Sequence, residues 1–142
     1  MERSESIVID ASVVIKWFVN EEYTDKSLKL LEDYLNAKIT IYSVQLMPYE
    51  VINALRYNPI IGRDDLVQIG YALSKFQIAF YPLLDGLYES AISVAMDSGT
   101  TVYDAAYLAL AISMKSPLYT SDQKFMNKLG DRYPVFHISN YK

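Results

Sequence analysis

The chain has 142 residues, of which 51% are hydrophobic and 21% are charged, with a formal net charge of −4. This length allows a buried core without cross-links, so we expect a single domain over residues 1–142, and the lack of cysteine excludes disulfides, a cysteine nucleophile and thiolate metal ligands. The acidic balance argues against a basic nucleic-acid coat, but a cation bound among clustered carboxylates would reverse the charge locally.

Strand-like and helix-like segments alternate along almost the whole sequence. Runs rich in β-branched and aromatic residues predict five strands, in "SIVID", "KITIYSV", "IAFYPL", "SPLYTS" and "VFHIS". Between them, Thr24 is a plausible N-cap for the helix "TDKSLKLLEDYLNAK", Pro48 suits the first turn of "MPYEVINALRYN", and Gly99 closes "DGLYESAISVAMDSG". This alternation predicts an α/β fold in which helices cover both faces of a mostly parallel sheet.

The sequence shows no secretory leader and no membrane-spanning run. The N-terminus "MERSES" is polar, and charged residues such as Lys16 and Asp97 interrupt the apolar segments. We therefore expect a cytoplasmic protein that does not contact a membrane.

Four of the seventeen acidic residues stand where a parallel sheet places its ligand crevice, outside the carboxyl ends of its strands. Asp10 follows the first predicted strand and Asp122 follows the fourth. Glu50 and Asp104 lie in the first turns of predicted helices. The strand-end rule therefore predicts that these four carboxylates meet at one edge of the sheet.

Each of these acids also has a purely structural interpretation. Asp10 and Asp122 suit helix caps, Asp104 stands three residues after Thr101 as in a capping box, and Glu50 suits an exposed helical acid. Four unpaired acids at one sheet edge would, however, repel one another strongly. A hard divalent cation such as Mg²⁺ is the simplest resolution, because it binds carboxylate oxygens while keeping waters and phosphate oxygens.

Other common catalytic chemistries are excluded. The chain has one histidine, His137, so two-histidine catalysis is impossible, and a lone histidine in a strand is interpreted as structural. The glycines form neither a dinucleotide fingerprint nor a phosphate loop. An enzyme with this sequence would depend on carboxylates, hydroxyls, lysines or a hard metal.

Four motifs, "IVIDASVVIKWF", "PYEVINALRY", "TTVYDAAYLALA" and "LYTSDQKF", resemble in order and spacing the acidic motifs of the PIN-domain ribonucleases. The match looks closest to the VapC toxins of type II toxin–antitoxin systems, and it extends from Ile7 to about Phe125. It implies a PIN-like three-layer α/β/α domain and a Mg²⁺- or Mn²⁺-dependent endoribonuclease.

The resemblance also implies roles for particular residues. Asp10 and Asp104 would be the most dependable metal ligands, and Glu50 and Asp122 would complete the catalytic cluster directly or through water. A metal-activated water would attack phosphorus in line and leave a 3′-hydroxyl and a 5′-phosphate. Family-like polar neighbours, which could hold ligands or the scissile phosphate, are Ser12, Asn53, Thr120 and Ser121. The implied partners are an RNA substrate, a small cognate antitoxin and a second copy of the chain.

Two alternatives remain open from the residues. A receiver-like phosphoryl-accepting domain needs a paired acid beside the first strand, which Glu5 offers only weakly. A haloacid-dehalogenase phosphatase is excluded, because its D-x-D signature fails where Ala11 and Ser12 follow Asp10. The other alternative is a non-catalytic PIN-like module that binds nucleic acid or protein and tolerates the loss of these acids.

Overall fold

The computed structural model describes residues 5–142. Within these residues five strands form one sheet of order β3-β2-β1-β4-β5, and every neighbouring pair is parallel. The predicted α/β class is therefore confirmed, and the described sheet is parallel throughout. Part of the polar N-terminal stretch, on which the expectation of no leader rests, lies outside the described residues.

The strands match the five predicted segments. Their bounds are β1 (Glu5–Ile9), β2 (Ile39–Val44), β3 (Ala79–Tyr81), β4 (Leu118–Thr120) and β5 (Val135–His137). From β1 the chain adds β2 and β3 on one side of the sheet, and then crosses to add β4 and β5 on the other. The strand order thus reverses between β1 and β4, and in such sheets a ligand crevice forms outside the carboxyl ends of the strands at this point.

Helices connect the strands and form the outer layers. The described residues contain α1 (Ala11–Ile15), α2 (Thr24–Leu35), α3 (Met47–Leu55), α4 (Arg63–Lys75), α5 (Gly86–Ser98), α6 (Val102–Met114) and α7 (Gln123–Leu129), followed by a 3₁₀ turn (Ile138–Asn140). Among residues 5–142, none of the helices has the length and apolar character needed to span a membrane.

Helix α6 lies at the centre of the molecule. Its residues from Ala105 to Ala111 are all buried, and it packs on α5 and against β1 and β2. The alanines in this stretch allow the close approach of neighbouring backbones, which a row of larger side chains would prevent. The first turn of α6 is thereby held near the carboxyl ends of the central strands.

The predicted cap of α2 is wrong. The N-cap is Tyr23, in a left-handed conformation with φ 66°, and its side chain makes no capping hydrogen bond. The hydroxyl of Thr24 instead accepts from the N–H of Glu21 (2.9 Å) and donates to the carbonyl of Val19 (3.2 Å). Thr24 therefore stabilises the turn before the helix. Its position in the sequence suits this role and a capping role equally well.

Candidate active site

The four acidic residues singled out by the sequence line one cavity of about 210 Å³. Asp10 is the N-cap of α1 directly after β1, and Asp122 is the N-cap of α7 after β4. Glu50 lies in the first turn of α3, and Asp104 lies in the first turn of α6. The cavity, called the acidic cavity below, therefore lies at the carboxyl ends of β1 and β4, where the strand order reverses.

Asp10 is the most enclosed of the four carboxylates, with 7% of the residue exposed. Its Oδ1 accepts from the backbone N–H (3.0 Å) and the hydroxyl (2.5 Å) of Ser12, and its Oδ2 accepts from the hydroxyl of Thr120 (2.5 Å). Burial raises the pKa of Asp10 to about 6, and these hydrogen bonds offset part of the effect. The carboxylate thus caps α1 and also faces the acidic cavity.

The hydroxyl groups that hold Asp10 also connect α1 to the β4–α7 loop. Ser12 Oγ accepts from the backbone N–H of Ser121 (2.7 Å), and Thr120 Oγ1 accepts from the backbone N–H of Asp122 (3.1 Å). Ser12 and Thr120 therefore support the acidic cavity through their side chains. Ser121 contributes through its backbone, and it lines a neighbouring cavity.

Glu50 is held by a residue that sequence reasoning missed. The buried Tyr107 hydroxyl donates to Glu50 Oε1 at 2.5 Å, across 57 positions of sequence. Burial raises the pKa of Glu50, the hydrogen bond from Tyr107 lowers it, and the charge of Asp104 raises it. The only sequence signal for Tyr107 is its place three residues after Asp104, on the same side of α6.

Asp104 and Asp122 also combine a local role with a place in the acidic cavity. The backbone N–H of Asp104 donates to the hydroxyl of Thr101 (3.0 Å), and the Asp122 carboxylate accepts from the N–H of Phe125 (3.1 Å). Burial raises the pKa of Asp104, and the nearby charge of Asp122 adds to the effect, while a hydrogen bond with the Thr101 side chain and the charge of Lys128 lower it.

No positive charge neutralises the acidic cavity at contact distance. The ion pairs within residues 5–142 join Lys16 to Glu21 and Lys29 to Asp33, and neither involves a carboxylate of the acidic cavity. The raised pKa values of Asp10, Glu50 and Asp104 therefore reflect burial of negative charge without an ion pair to any of the described cations, and the charge of Lys128 offsets only part of the effect at Asp104.

The donor set fits a hard divalent cation in its chemistry. In the described part of the chain, no three acidic or histidine side chains are grouped closely enough to form a metal site as they stand. Mg²⁺, however, keeps several waters and commonly takes only one or two carboxylates directly, together with substrate phosphate oxygens. Four carboxylates around one small cavity suit this mode of binding and do not require a preassembled cage.

Asn53 is not brought to the acidic cavity. It is exposed and lines a different cavity on α3, together with Tyr49 and Arg56. The α3 residue that joins Glu50 in lining the acidic cavity is Ala54, one full turn further on.

The geometry also bears on the receiver-like alternative. Glu5 begins β1 and Asp10 follows its end, so the two carboxylates are separated by roughly 16 Å of extended chain. Glu5 lines an apolar cavity beside Lys115 and Phe136 and cannot pair with Asp10. The paired acid that a phosphoryl-accepting site needs is therefore absent from this strand.

Comparison with known families agrees with the fold. The family model of the PIN domain matches residues 7–129. The chain belongs to the PIN-domain family.

Two curated relatives come from Pyrobaculum aerophilum. Ribonuclease VapC3 is 30% identical over 135 residues, which cover 91% of this chain and 95% of the relative. Exonuclease VapC9 is 30% identical over 121 residues, which cover 85% of this chain and 84% of the relative. Within the PIN-domain family, the chain therefore belongs to the VapC branch.

Among solved structures, a toxin–antitoxin complex from Klebsiella pneumoniae contains a chain of the same fold. The TM-score is 0.69, the identity is 14%, and the match covers 93% of this chain and 97% of the other. At this identity the likeness concerns the fold alone.

Proposed function

We propose that the chain is a divalent-metal-dependent endoribonuclease and the toxin of a toxin–antitoxin pair. One observation carries the proposal: Asp10, Glu50, Asp104 and Asp122 line a single cavity, and none of the described residues lining it is cationic. The curated relatives support nuclease chemistry, since one is named a ribonuclease and the other an exonuclease. An antitoxin partner is what the resemblance to the VapC toxins of toxin–antitoxin systems implies.

In this proposal Asp10 and Asp104 hold Mg²⁺ or Mn²⁺, and Glu50 and Asp122 complete its surroundings directly or through water. A cation bound there supplies positive charge that stabilises a phosphodiester during hydrolysis and makes a bound water more acidic. The all-oxygen donor set, and the fact that none of the ion pairs among residues 5–142 involves these carboxylates, favour this assignment.

The protein's own groups position the reactants. Ser12 and Thr120 fix both oxygens of Asp10, so that this carboxylate has a single orientation. Tyr107 orients Glu50, and burial raises the pKa of that carboxyl group, which makes the carboxylate a stronger base toward the attacking water. Attack in line with the leaving 3′ oxygen then gives a 3′-hydroxyl and a 5′-phosphate.

Cleavage of a circular single-stranded RNA tests both the metal requirement and the endonuclease assignment. A circle has no ends, so an exonuclease cannot attack it. We expect the wild-type protein to open the circle with Mg²⁺ or Mn²⁺, to lose activity in EDTA, and to regain it when excess Mg²⁺ is restored. Cleavage of linear RNA only would contradict the endonuclease assignment. Full activity in EDTA would contradict the metal requirement.

Association of two copies remains a prediction of the family resemblance, and a cytoplasmic location remains a prediction of the sequence. The non-catalytic binding module remains the alternative function. It predicts RNA or protein binding without cleavage, and substitution of the acids separates it from the nuclease.

A further inference from the structure

A second cavity, of about 520 Å³, adjoins the acidic cavity. It lies at the carboxyl ends of β4 and β5, and it is called the polar cavity below. The side chains on which its chemistry depends are Tyr23, Ser121, Gln123, His137 and Asn140. None of these residues has a role in the proposed reaction beyond the backbone contact of Ser121.

The two cavities share a wall. Along the β4–α7 loop, Asp122 lines the acidic cavity, while its neighbours Ser121 and Gln123 line the polar cavity. Helix α1 repeats the pattern, since Ile15 lines the acidic cavity and Lys16 lines the polar one. A strand of RNA with one phosphate at the acidic cavity therefore has an adjacent nucleotide within reach of the polar cavity.

Two aromatic rings form one side of the polar cavity. The rings of Tyr23 and His137 meet edge to face, with centroids 5.2 Å apart and an interplanar angle of 81°. Tyr23 holds this place with φ 66°, a left-handed conformation that is unfavourable for a residue with a Cβ. Strain of this kind persists where the surroundings over-determine the conformation, and it is concentrated at binding sites.

Hydrogen-bonding groups surround these rings. The backbone N–H of Ser139 donates to His137 Nδ1 (3.1 Å), so the proton of the neutral ring lies on Nε2, which is left as a donor. Gln123 donates through its amide nitrogen to Asn127 (2.9 Å), which leaves its carbonyl oxygen as an acceptor. The exposed amide of Asn140 offers both kinds of group.

The charges favour a neutral ligand over a phosphate. Lys16 lines the polar cavity, but its ammonium is paired with Glu21 at 3.0 Å, and Glu22 also lines the cavity. Aromatic faces with amide donors and acceptors are the groups that proteins use to stack on and read unpaired bases.

We propose that the polar cavity binds the base of a nucleotide next to the cleaved phosphodiester. Tyr23 and His137 supply the stacking surface, and Gln123 and Asn140 read the edge of the base. The proposal rests on the nuclease function proposed above, and it assigns the specificity of that function to residues outside the acidic cavity.

Binding can be tested without cleavage. Because the chain has a single histidine, the imidazole resonances in its NMR spectrum report on His137 alone. We expect at least one of AMP, GMP, CMP and UMP to shift these resonances and the side-chain amide signals of Gln123 and Asn140 in a saturable way, and ribose 5-phosphate to shift neither. No shift with any nucleotide, or equal shifts with ribose 5-phosphate, would overturn the base site.

A cleavage assay provides the second arm. Tyr23→Gly removes the ring at a position whose φ suits glycine, and Asn140→Ala removes an exposed amide, so both variants should fold. On RNAs that differ in the base beside the cut, each is expected to lower kcat/KM about tenfold and to flatten the base preference. Gln68→Ala, an exposed amide on α4 outside both cavities, is expected to change neither.

The two arms separate the two proposals. A wild-type protein that cleaves no RNA would contradict the nuclease, and the nucleotide titration would still decide the base site. If the wild-type protein cleaves RNA and both variants keep its base preference, the result would contradict the base site alone.

Discussion

Replacement of Asp104 by asparagine is expected to lower kcat/KM for RNA cleavage about a thousandfold. The substitution keeps the size of the side chain but removes one negative charge from the acidic cavity. The N-cap of α6 is unaffected, because the hydrogen bond to Thr101 comes from the backbone N–H of residue 104. Single-turnover cleavage at saturating Mg²⁺ measures the effect, and thermal unfolding checks that the fold is retained.

Asp97→Asn is the matched control for this substitution. Asp97 is an exposed acid in α5, and it does not line the acidic cavity. We expect its activity to equal that of the wild type, since only the global charge changes. If Asp104→Asn kept activity within tenfold of this control, the acidic cavity would not be the catalytic site, and the non-catalytic alternative would gain support.

The second large effect concerns stability. Burial raises the pKa of Asp10 from its ordinary value of 3.8 to about 6, so the folded protein holds this proton more tightly than the unfolded chain does. Between these pH values the unfolded chain releases the proton first, and the free energy of unfolding falls as pH rises. Well above pH 6 both states are ionised, and the free-energy cost of the buried charge is constant at about 3 kcal/mol.

Asp10→Asn removes this pH-dependent cost. Relative to wild type, the variant is expected to gain about 2 kcal/mol in the free energy of unfolding between pH 4 and pH 7. Urea unfolding in the presence of EDTA measures the difference without interference from bound cations. Asp25→Asn, at an exposed acid of α2, serves as the control. A difference between Asp10→Asn and wild type that does not change with pH would refute the interpretation.

The same pair of measurements connects stability with function. The buried carboxylate destabilises the metal-free protein near neutral pH, whereas a metal-dependent site requires that carboxylate to be ionised. Asp10→Asn should therefore gain stability relative to wild type as pH rises to 7, and it should be inactive on RNA. Sites of this kind commonly combine a gain in stability with a loss of activity.

Much of the acidic cavity could be predicted from sequence because its positions follow from topology. In a parallel sheet the residues after each strand share an edge, so Asp10 and Asp122 needed only correct strand assignments to be placed near each other. Their capping roles are local and equally visible. The structure adds that capping and exposure to the cavity coexist in the same carboxylates.

The features that sequence reasoning missed depend on tertiary contacts. Tyr107 lies in the apolar run of α6, so the sequence alone suggests a core residue. Its hydrogen-bond partner Glu50 lies on another helix and is not visible from the sequence around Tyr107. On α2 the apolar residues Leu28 and Leu35 are exposed, whereas the buried positions include Ser27 and Asp33. Their polar atoms are satisfied by Val13 and by Lys29 and Tyr141, contacts that helical periodicity does not report.

The polar cavity was also beyond the reach of the sequence. Its residues come from the starts of α2 and α7, the end of β5 and the final turn, and no motif joins them. A lone histidine in a strand is ordinarily structural, and only its place beside Tyr23 and the acidic cavity gives His137 a proposed role.

Calorimetric titration with Mn²⁺ at pH 6 tests most directly whether the four carboxylates act as one cation site. We expect the wild-type protein to bind Mn²⁺ with release of protons from the acidic cavity, seen as a binding enthalpy that depends on the buffer, because Asp10 is partly protonated at this pH. Asp104→Asn should bind at least about tenfold more weakly, and Asp97→Asn should bind as the wild type does. Equal affinity in all three proteins, with no release of protons, would contradict the assignment.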